Sequence, residues 1–188
     1  MPRVLPLRQI YQLHVQLDAI EPPIWRRLLV DSRSTLPELH VAIQAVMGWY
    51  DSHLHEFISG QKRYGIPDDD LTALLDERKF RLAQLIKKPQ DTLTYVYDYG
   101  DYWEHTLTLE AILPWRTDIT LPRCVDGARA CPPEDCGGPP GYSELLVIMA
   151  DPEHPEFAET LEILGEEFEP EDFDLAFANE DLASLCSG

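Results

Sequence analysis

The element order predicts an α+β fold: a β-grasp-like mixed sheet on one central helix, followed by an acidic, all-helical C-terminal extension. Three observations carry this. Apolar residues alternate near the N-terminus, a capped amphipathic helix follows, and an aromatic hairpin gives way to a Cys, Pro and Gly-rich break. In the stretch from Ile10 to Asp18, Tyr11, Leu13, Val15 and Leu17 alternate with Gln12, His14 and Gln16, the period of a half-buried strand. Glu21-Pro22-Pro23 turns the chain, and Ile24 to Val30 reads as the hairpin partner. Thr35-Leu36-Pro37-Glu38 has capping-box spacing with proline in the first turn, and Leu39, Ile43, Val46 and Met47 continue at helical spacing. A helix is therefore expected from about Leu36 to Gly48. His53 to Ser59 reads as a strand, whereas 63 to 89 carries mixed signals with no dominant period. Thr92 to Tyr99, rich in Thr, Tyr and Val, and Tyr102 to Leu109 read as a second hairpin turning at Gly100-Asp101. Three helical stretches come after the break. Tyr142, Leu145, Leu146 and Met149 mark the first; Phe157, Leu161 and Leu164, after Pro155, the second; Phe173 and Phe177 the third.

A chain of 188 residues suits one domain, 1–188, with a sheet-bearing core (1–123), a Cys/Pro/Gly-rich loop (124–141) and a helical cover (142–188). The longest apolar stretch, near Leu145 to Ala150, is far short of the roughly 20 residues of a membrane span. The opening MPRVLPLRQIYQL has no apolar core followed by a small-residue cleavage site. Four cysteines without such a signal fit a reducing compartment. A soluble, cytoplasmic protein is expected. The formal charge of −19 opposes binding to phosphate backbones. That charge is uneven: residues 130–188 hold 16 of the 34 acids and none of the 15 bases, leaving 18 acids against 15 bases (−3) in 1–129. The acidic helices are expected to pack Phe and Leu stripes on the core and offer a negative face to a basic protein partner.

Chemistry-bearing residues cluster in three places. A two-residue turn at Gly100-Asp101 would pair Asp98 with Trp103 and Val96 with His105, placing Asp98, Trp103 and His105 on one apolar face. A carboxylate beside an imidazole suits proton transfer or metal binding, and equally suits a satisfied polar pair at a sheet edge. His53 and His55 would share a strand face with Phe57, a spacing compatible with two ligands to one ion. Cys124, Cys131 and Cys136 sit in a Pro/Gly-rich loop of the kind that builds small zinc sites, although the spacing lacks CxxC pairs. His105, His53 or Glu134 could supply a fourth ligand; the other reading is a rigid loop with incidental thiols. Cys186 has no assigned role. In Trp25-Arg26-Arg27 the two arginines fall on opposite faces, so no bidentate clamp follows. GxxxxGK[ST], GxGxxG, GxSxG and HExxH are all absent.

The words PPIWRR, MGWYDSHLHEF, KRYG, YDYGDYWEH and CVDGARACPPEDCGGPPGY, in that order, resemble the plasmid pRiA4b ORF-3-like family from about Ile10 to the last helix. The resemblance implies a compact α+β domain with no established activity, in a family whose members are sometimes labelled resolvase-like passenger proteins of mobile elements. A serine resolvase needs a basic helix-turn-helix after its catalytic domain, and here that end is acidic, so the label is not expected to hold. The family words fall on Trp25, Arg26, Arg27, Trp49, His53, His55, Phe57, Asp98, Gly100, Asp101, Trp103, His105, Cys124 and the run from Cys131 to Gly138.

The expected function is a non-catalytic module that holds a protein or small ligand through Trp25, Arg26, Trp49, His53, His55, Asp98, Trp103 and His105. The alternative is a metal-binding protein or metal-dependent enzyme, with zinc held by Cys124, Cys131, Cys136 and His105 or by His53, His55 and His105. A second alternative is a DNA-related role tied to mobile elements.

Overall fold

The computed structural model describes residues 7–67, 74–165 and 168–185, so Cys186 lies outside the described residues. The chain is α+β. Its strands are β1 (Gln9–Leu17), β2 (Ile24–Asp31), β3 (His55–Ser59), β4 (Lys62–Gly65), β5 (Leu75–Asp76), β6 (Thr92–Tyr97), β7 (Trp103–Pro114) and β8 (Arg123–Ala128). The helices are α1 (Leu36–Met47), α2 (Leu82–Leu85), α3 (Gly138–Met149), α4 (Phe157–Leu164) and α5 (Leu175–Leu185), with a 3₁₀ turn at Glu77–Lys79. No described helix is long and apolar enough to cross a membrane.

The eight strands among the described residues form one sheet in the order β5-β4-β3-β6-β7-β1-β2-β8, antiparallel except for the β4/β5 pair. This is wider than the five-element, grasp-like sheet expected. The difference lies in β7, whose 12 residues pair with β6 along one edge and run antiparallel to β1 along the other. The segment without a readable period supplies β4, β5, the 3₁₀ turn and α2, all short.

The first hairpin forms as expected, with Leu17 opposite Ile24. Tyr11, Leu13, Val15, Leu17, Ile24, Leu28 and Val30 are buried on one sheet face, and α1 lies across it. The capping box sets where α1 begins: Thr35 Oγ1 accepts from Glu38 N, and Glu38 Oε2 accepts from Thr35 N at 2.7 Å. Gly48, at φ 78, closes the helix with N–H donated to Gln44 O and Ala45 O.

The second hairpin corrects the expected register. Tyr97 pairs with Trp103 and Tyr95 with His105, so Asp98 does not oppose Trp103 and Val96 does not oppose His105. The loop spans five residues because Asp98 and Tyr102 both adopt left-handed backbone, at φ 58 and φ 55. Asp98 Oδ1 accepts from Gly100 N at 2.7 Å, and Asp98 O accepts from Tyr102 N at 2.7 Å. A one-residue slip reverses every facing. Tyr95, Tyr97, Trp103 and His105 therefore join the core, and Asp98 moves into the loop.

Toward the C-terminus, α3 starts four residues before Tyr142, and α5 follows Phe173 rather than containing it. Helix α5 packs against α1 and β8 and buries Ala178 and Leu182; of the expected pair, Phe173 packs on the core ahead of the helix, whereas Phe177 is 58% exposed. Thr35→Ala is expected to destabilise the protein by about 1 kcal/mol. Urea unfolding would show this as an earlier midpoint at unchanged slope; an unmoved midpoint would mean that the cap is redundant with the Leu36 N–H bond to Phe80 O.

Candidate functional site

Between α1 and β3 the chain runs as a strap from Trp49 to Leu54, and nearly every residue of it is tied down. Trp49 is buried, stacks on Tyr97 at 5.0 Å, meets His105 edge-on at 5.4 Å, and donates Nε1–H to Pro132 O at 3.0 Å. Tyr50 N donates to Glu134 Oε1 at 3.3 Å. Asp51, at φ 55, donates its N–H to Gln44 Oε1 at 2.9 Å. Ser52 N donates to Tyr97 Oη at 3.0 Å and Ser52 Oγ to Glu134 Oε2 at 3.2 Å. Leu54 O accepts from Asp98 N at 2.9 Å.

Beneath the strap lies a buried polar network. His40 Nδ1 is 2.9 Å from Tyr95 Oη and His40 Nε2 is 2.9 Å from Asp51 Oδ1. Gln44 fixes the proton positions. Because its Oε1 accepts from Asp51 N, its amide nitrogen is the donor to Tyr95 Oη at 3.0 Å. Tyr95 then donates its own proton to Nδ1, and Nε2–H donates to Asp51. His40 is thus neutral, and burial, with His55 beside it, lowers its pKa to about 4. His55 stacks on His40 at 3.5 Å and 7°, with Nε2 3.0 Å from the buried carboxylate of Glu77.

Two groups among the described residues bring three ligand atoms within 4.8 Å of one another: His40/Asp51/His55 and His53/Asp98/Asp135. The first is poorly shaped for an ion. Imidazole lone pairs lie in the ring plane, and two rings stacked at 7° aim them along separate parallel planes, while both Nε2 atoms already face carboxylates.

The second group differs. His53 Nε2 lies 3.1 Å from Asp135 Oδ1 and 3.8 Å from Asp98 Oδ2, yet this buried nitrogen makes no hydrogen bond. Asp98 and Asp135 both have φ 58, a conformation uncommon outside glycine and found disproportionately at functional sites. Asp135 is held in place by its neighbours: Pro132 O accepts from Trp49, Glu134 accepts from Tyr97 Oη as well as Tyr50 and Ser52, and Gly137 N donates to Asp101 Oδ2 at 3.2 Å. Gly138 is required where this loop meets the hairpin, since at φ 67 an added Cβ would lie 2.3 Å from Asp101 O. The side chain of Asp135 is 74% exposed, so the group opens to solvent.

The other expected site residues are placed elsewhere. His55 joins the stacked pair rather than His53, because His53 precedes β3 and strand alternation does not reach it. Trp103 and His105 are fully buried. Trp25 and Arg27 lie on the far face, where Trp25 stacks on His14 and Arg27 pairs with Glu110 at 2.7 Å. Arg26 is 2% exposed and clasps the fold, donating to Val46 O, Trp25 O and Ala128 O with Phe173 at 4.0 Å from its guanidinium. Cys124 is buried, with Sγ donating to Asp126 O. Burial pushes the thiols of Cys131 and Cys136 up to about 12, and the three sulfurs form no ligand group with one another or with His105. Sequence reading missed His40, Gln44, Asp51, Glu77, Tyr95 and Tyr97, and picked out Asp135 only through the family words.

Burial lowers the pKa of His105 to about 4, against an unfolded value near 6.5. The unfolded chain therefore binds the proton more readily. The stability tied to neutral His105 is fully present above pH 6.5 and is lost as pH falls toward 4, on the order of 3 kcal/mol in all. Urea unfolding at pH 7.5 and 4.5 is expected to show a pH-dependent loss smaller by about 2 kcal/mol in His105→Gln than in the parent. Equal losses in both proteins would refute this role for His105.

The sequence matches the family model described as plasmid pRiA4b ORF-3-like protein over residues 9–177. It is 39% identical over 175 residues to the uncharacterized protein y4hQ of Sinorhizobium fredii (strain NBRC 101917 / NGR234), covering 90% of this chain and 86% of the relative. The structure is similar, at a TM-score of 0.83 and 38% identity, to the crystal structure of MM3350, a protein of unknown function from Methanosarcina mazei Go1, covering 90% of this chain and 97% of that one. With the family model matched over residues 9–177 and a relative 39% identical over most of both chains, the chain belongs to the plasmid pRiA4b ORF-3-like family.

Proposed function

We propose that this protein is a metal-ion-binding module in which His53, Asp98 and Asp135 hold one divalent transition ion of the zinc class. The observation that carries the reading is the buried His53 Nε2, which faces two carboxylate oxygens at 3.1 and 3.8 Å and bonds to neither. An ion about 2.0–2.1 Å from each ligand in tetrahedral array would set N···O separations of about 3.3 Å, within the span of those two distances. One imidazole and two carboxylates neutralise a divalent charge and suit zinc, manganese or iron better than a soft ion. With Asp135 exposed, a position remains open for water or a small ligand.

The support from the surroundings is positional. Glu134, Tyr97 and Ser52 tie the Asp135 loop to the strap, and the Asp98 turn is locked by Gly100 and Leu54, so the three ligands come from rigid supports. This reading takes up the metal-binding alternative, keeps His53 from its histidine set, and replaces the cysteines, His55 and His105 with the carboxylates of Asp98 and Asp135.

The test uses protein purified without a His-tag, stripped with chelator and titrated calorimetrically with Zn²⁺. One equivalent is expected to bind, with affinity at least tenfold weaker in His53→Ala and in Asp135→Asn. A Cys131→Ser/Cys136→Ser variant is expected to bind as the parent does. Uptake below a tenth of an equivalent, or loss of binding only in the cysteine variant, would reject the site.

A further inference from the structure

Along the N-terminal half of α1, a cavity of about 650 Å³ lies between the helix and the connection from β7 to β8. Nothing in the metal-ion reading uses it. We propose that this cavity is a second ligand site, for a small organic anion with an apolar body.

The volume is that of sites for small organic molecules, commonly about 300–1,000 Å³. The inner wall is apolar, formed by the buried side chains of Val30, Leu39 and Ala42, and the 115–122 connection brings Trp115, Ile119 and Leu121 opposite. Arg8, Arg33 and Arg81 line the same space together with Asp31 and Glu38. At physiological ionic strength, charges beyond about 8 Å are largely screened, so the local set dominates what a bound ligand feels.

The two carboxylates are turned to internal work. Asp31 accepts from Arg8 Nε at 2.7 Å and from Arg33 N at 2.9 Å, and Glu38 Oε2 serves the α1 cap through Thr35 N and Oγ1. Arg8 is thereby anchored through Nε alone, with its guanidinium 3.5 Å from the centre of the Trp115 ring. Among the described residues neither of its terminal nitrogens meets an acceptor, and Arg81 uses only Nη1, on Arg33 O. Both side chains are thus oriented by one contact while keeping N–H donors for a carboxylate, sulfonate or phosphate head group. The apolar walls explain why the ligand is an organic anion and not an inorganic one: a bare phosphate would leave Ile119 and Leu121 facing water.

The probe is 8-anilinonaphthalene-1-sulfonate, with N-phenyl-1-naphthylamine as its near-isostere without the sulfonate. Fluorescence titration of the native protein is expected to show one saturable sulfonate site, with the neutral probe at least tenfold weaker. Arg8→Gln combined with Arg81→Gln is expected to weaken the sulfonate probe at least tenfold and to leave the neutral probe unchanged. Ile119→Glu places a carboxylate in the wall and is expected to weaken the sulfonate probe similarly. Unfolding curves confirm that each variant is folded, and His53→Ala is expected to bind the probe as the parent does, which separates this site from the metal site. Equal binding of the two probes, or sulfonate binding unaffected by both the arginine and Ile119 variants, overturns the proposal.

Discussion

The hydrogen bond between His40 and Tyr95, buried between α1 and the centre of the sheet, is the contact on which the rest of this structure turns. Tyr95 is fully buried and Gln44 nearly so, and each has its polar atoms satisfied only by the other members of the network. Losing one member strands the others in a low-dielectric interior, at a cost of about 1–3 kcal/mol per orphaned group. The network therefore sets the position of α1 on the sheet and, through Asp51, the path of the chain that leaves it. It also selects a single protonation state, since only a neutral His40 with hydrogen on Nε2 serves Tyr95 and Asp51 together.

From this follows the form of the strap. Alternate groups of residues 49 to 54 are bound downward to α1 and β6 or sideways to the loop from Cys131 to Gly137, which leaves His53 as the member whose ring nitrogen faces carboxylates without a bond. Asp51, Asp98 and Asp135, the three aspartates that surround this segment, all have positive φ. Such conformations cost of order 1 kcal/mol or more each, and they persist where surrounding contacts over-determine them. Here those contacts are the Gln44, Gly100, Leu54 and Glu134 bonds. The cysteines, by contrast, serve the interior of the loop: their sulfurs are held as neutral thiols by burial, and their neighbours are the walls of the fold.

How far this was legible in the sequence depends on whether a local signal existed. The capping box and the first hairpin were readable because each is decided by residues within a few positions of one another. The hairpin at Gly100 was misread by one residue, because Gly-Asp signals a two-residue turn while the observed five-residue loop relies on Tyr102 at φ 55, a conformation no tyrosine propensity suggests. His40 and Gln44 could have been found. They sit four apart inside the apolar stripe of Leu36, Leu39, Ile43 and Met47, and a polar pair on a buried helix face asks for partners. Asp135 falls within the family words, but its approach to His53 depends on a loop from residues 131–137 docking on residues 49–54, a contact that no periodicity encodes. His53 and Asp98 are legible as candidates but their mutual approach is not, since His53 precedes β3 and Asp98 lies in the loop after β6.

The most direct measurement of the ion-binding geometry is anomalous diffraction at the zinc edge from crystals of untagged protein supplied with one equivalent of zinc. The strap geometry predicts one principal peak at bonding distance from His53 Nε2, Asp98 Oδ2 and Asp135 Oδ1. A principal peak at the Cys131 and Cys136 sulfurs, or no peak near His53, would contradict it.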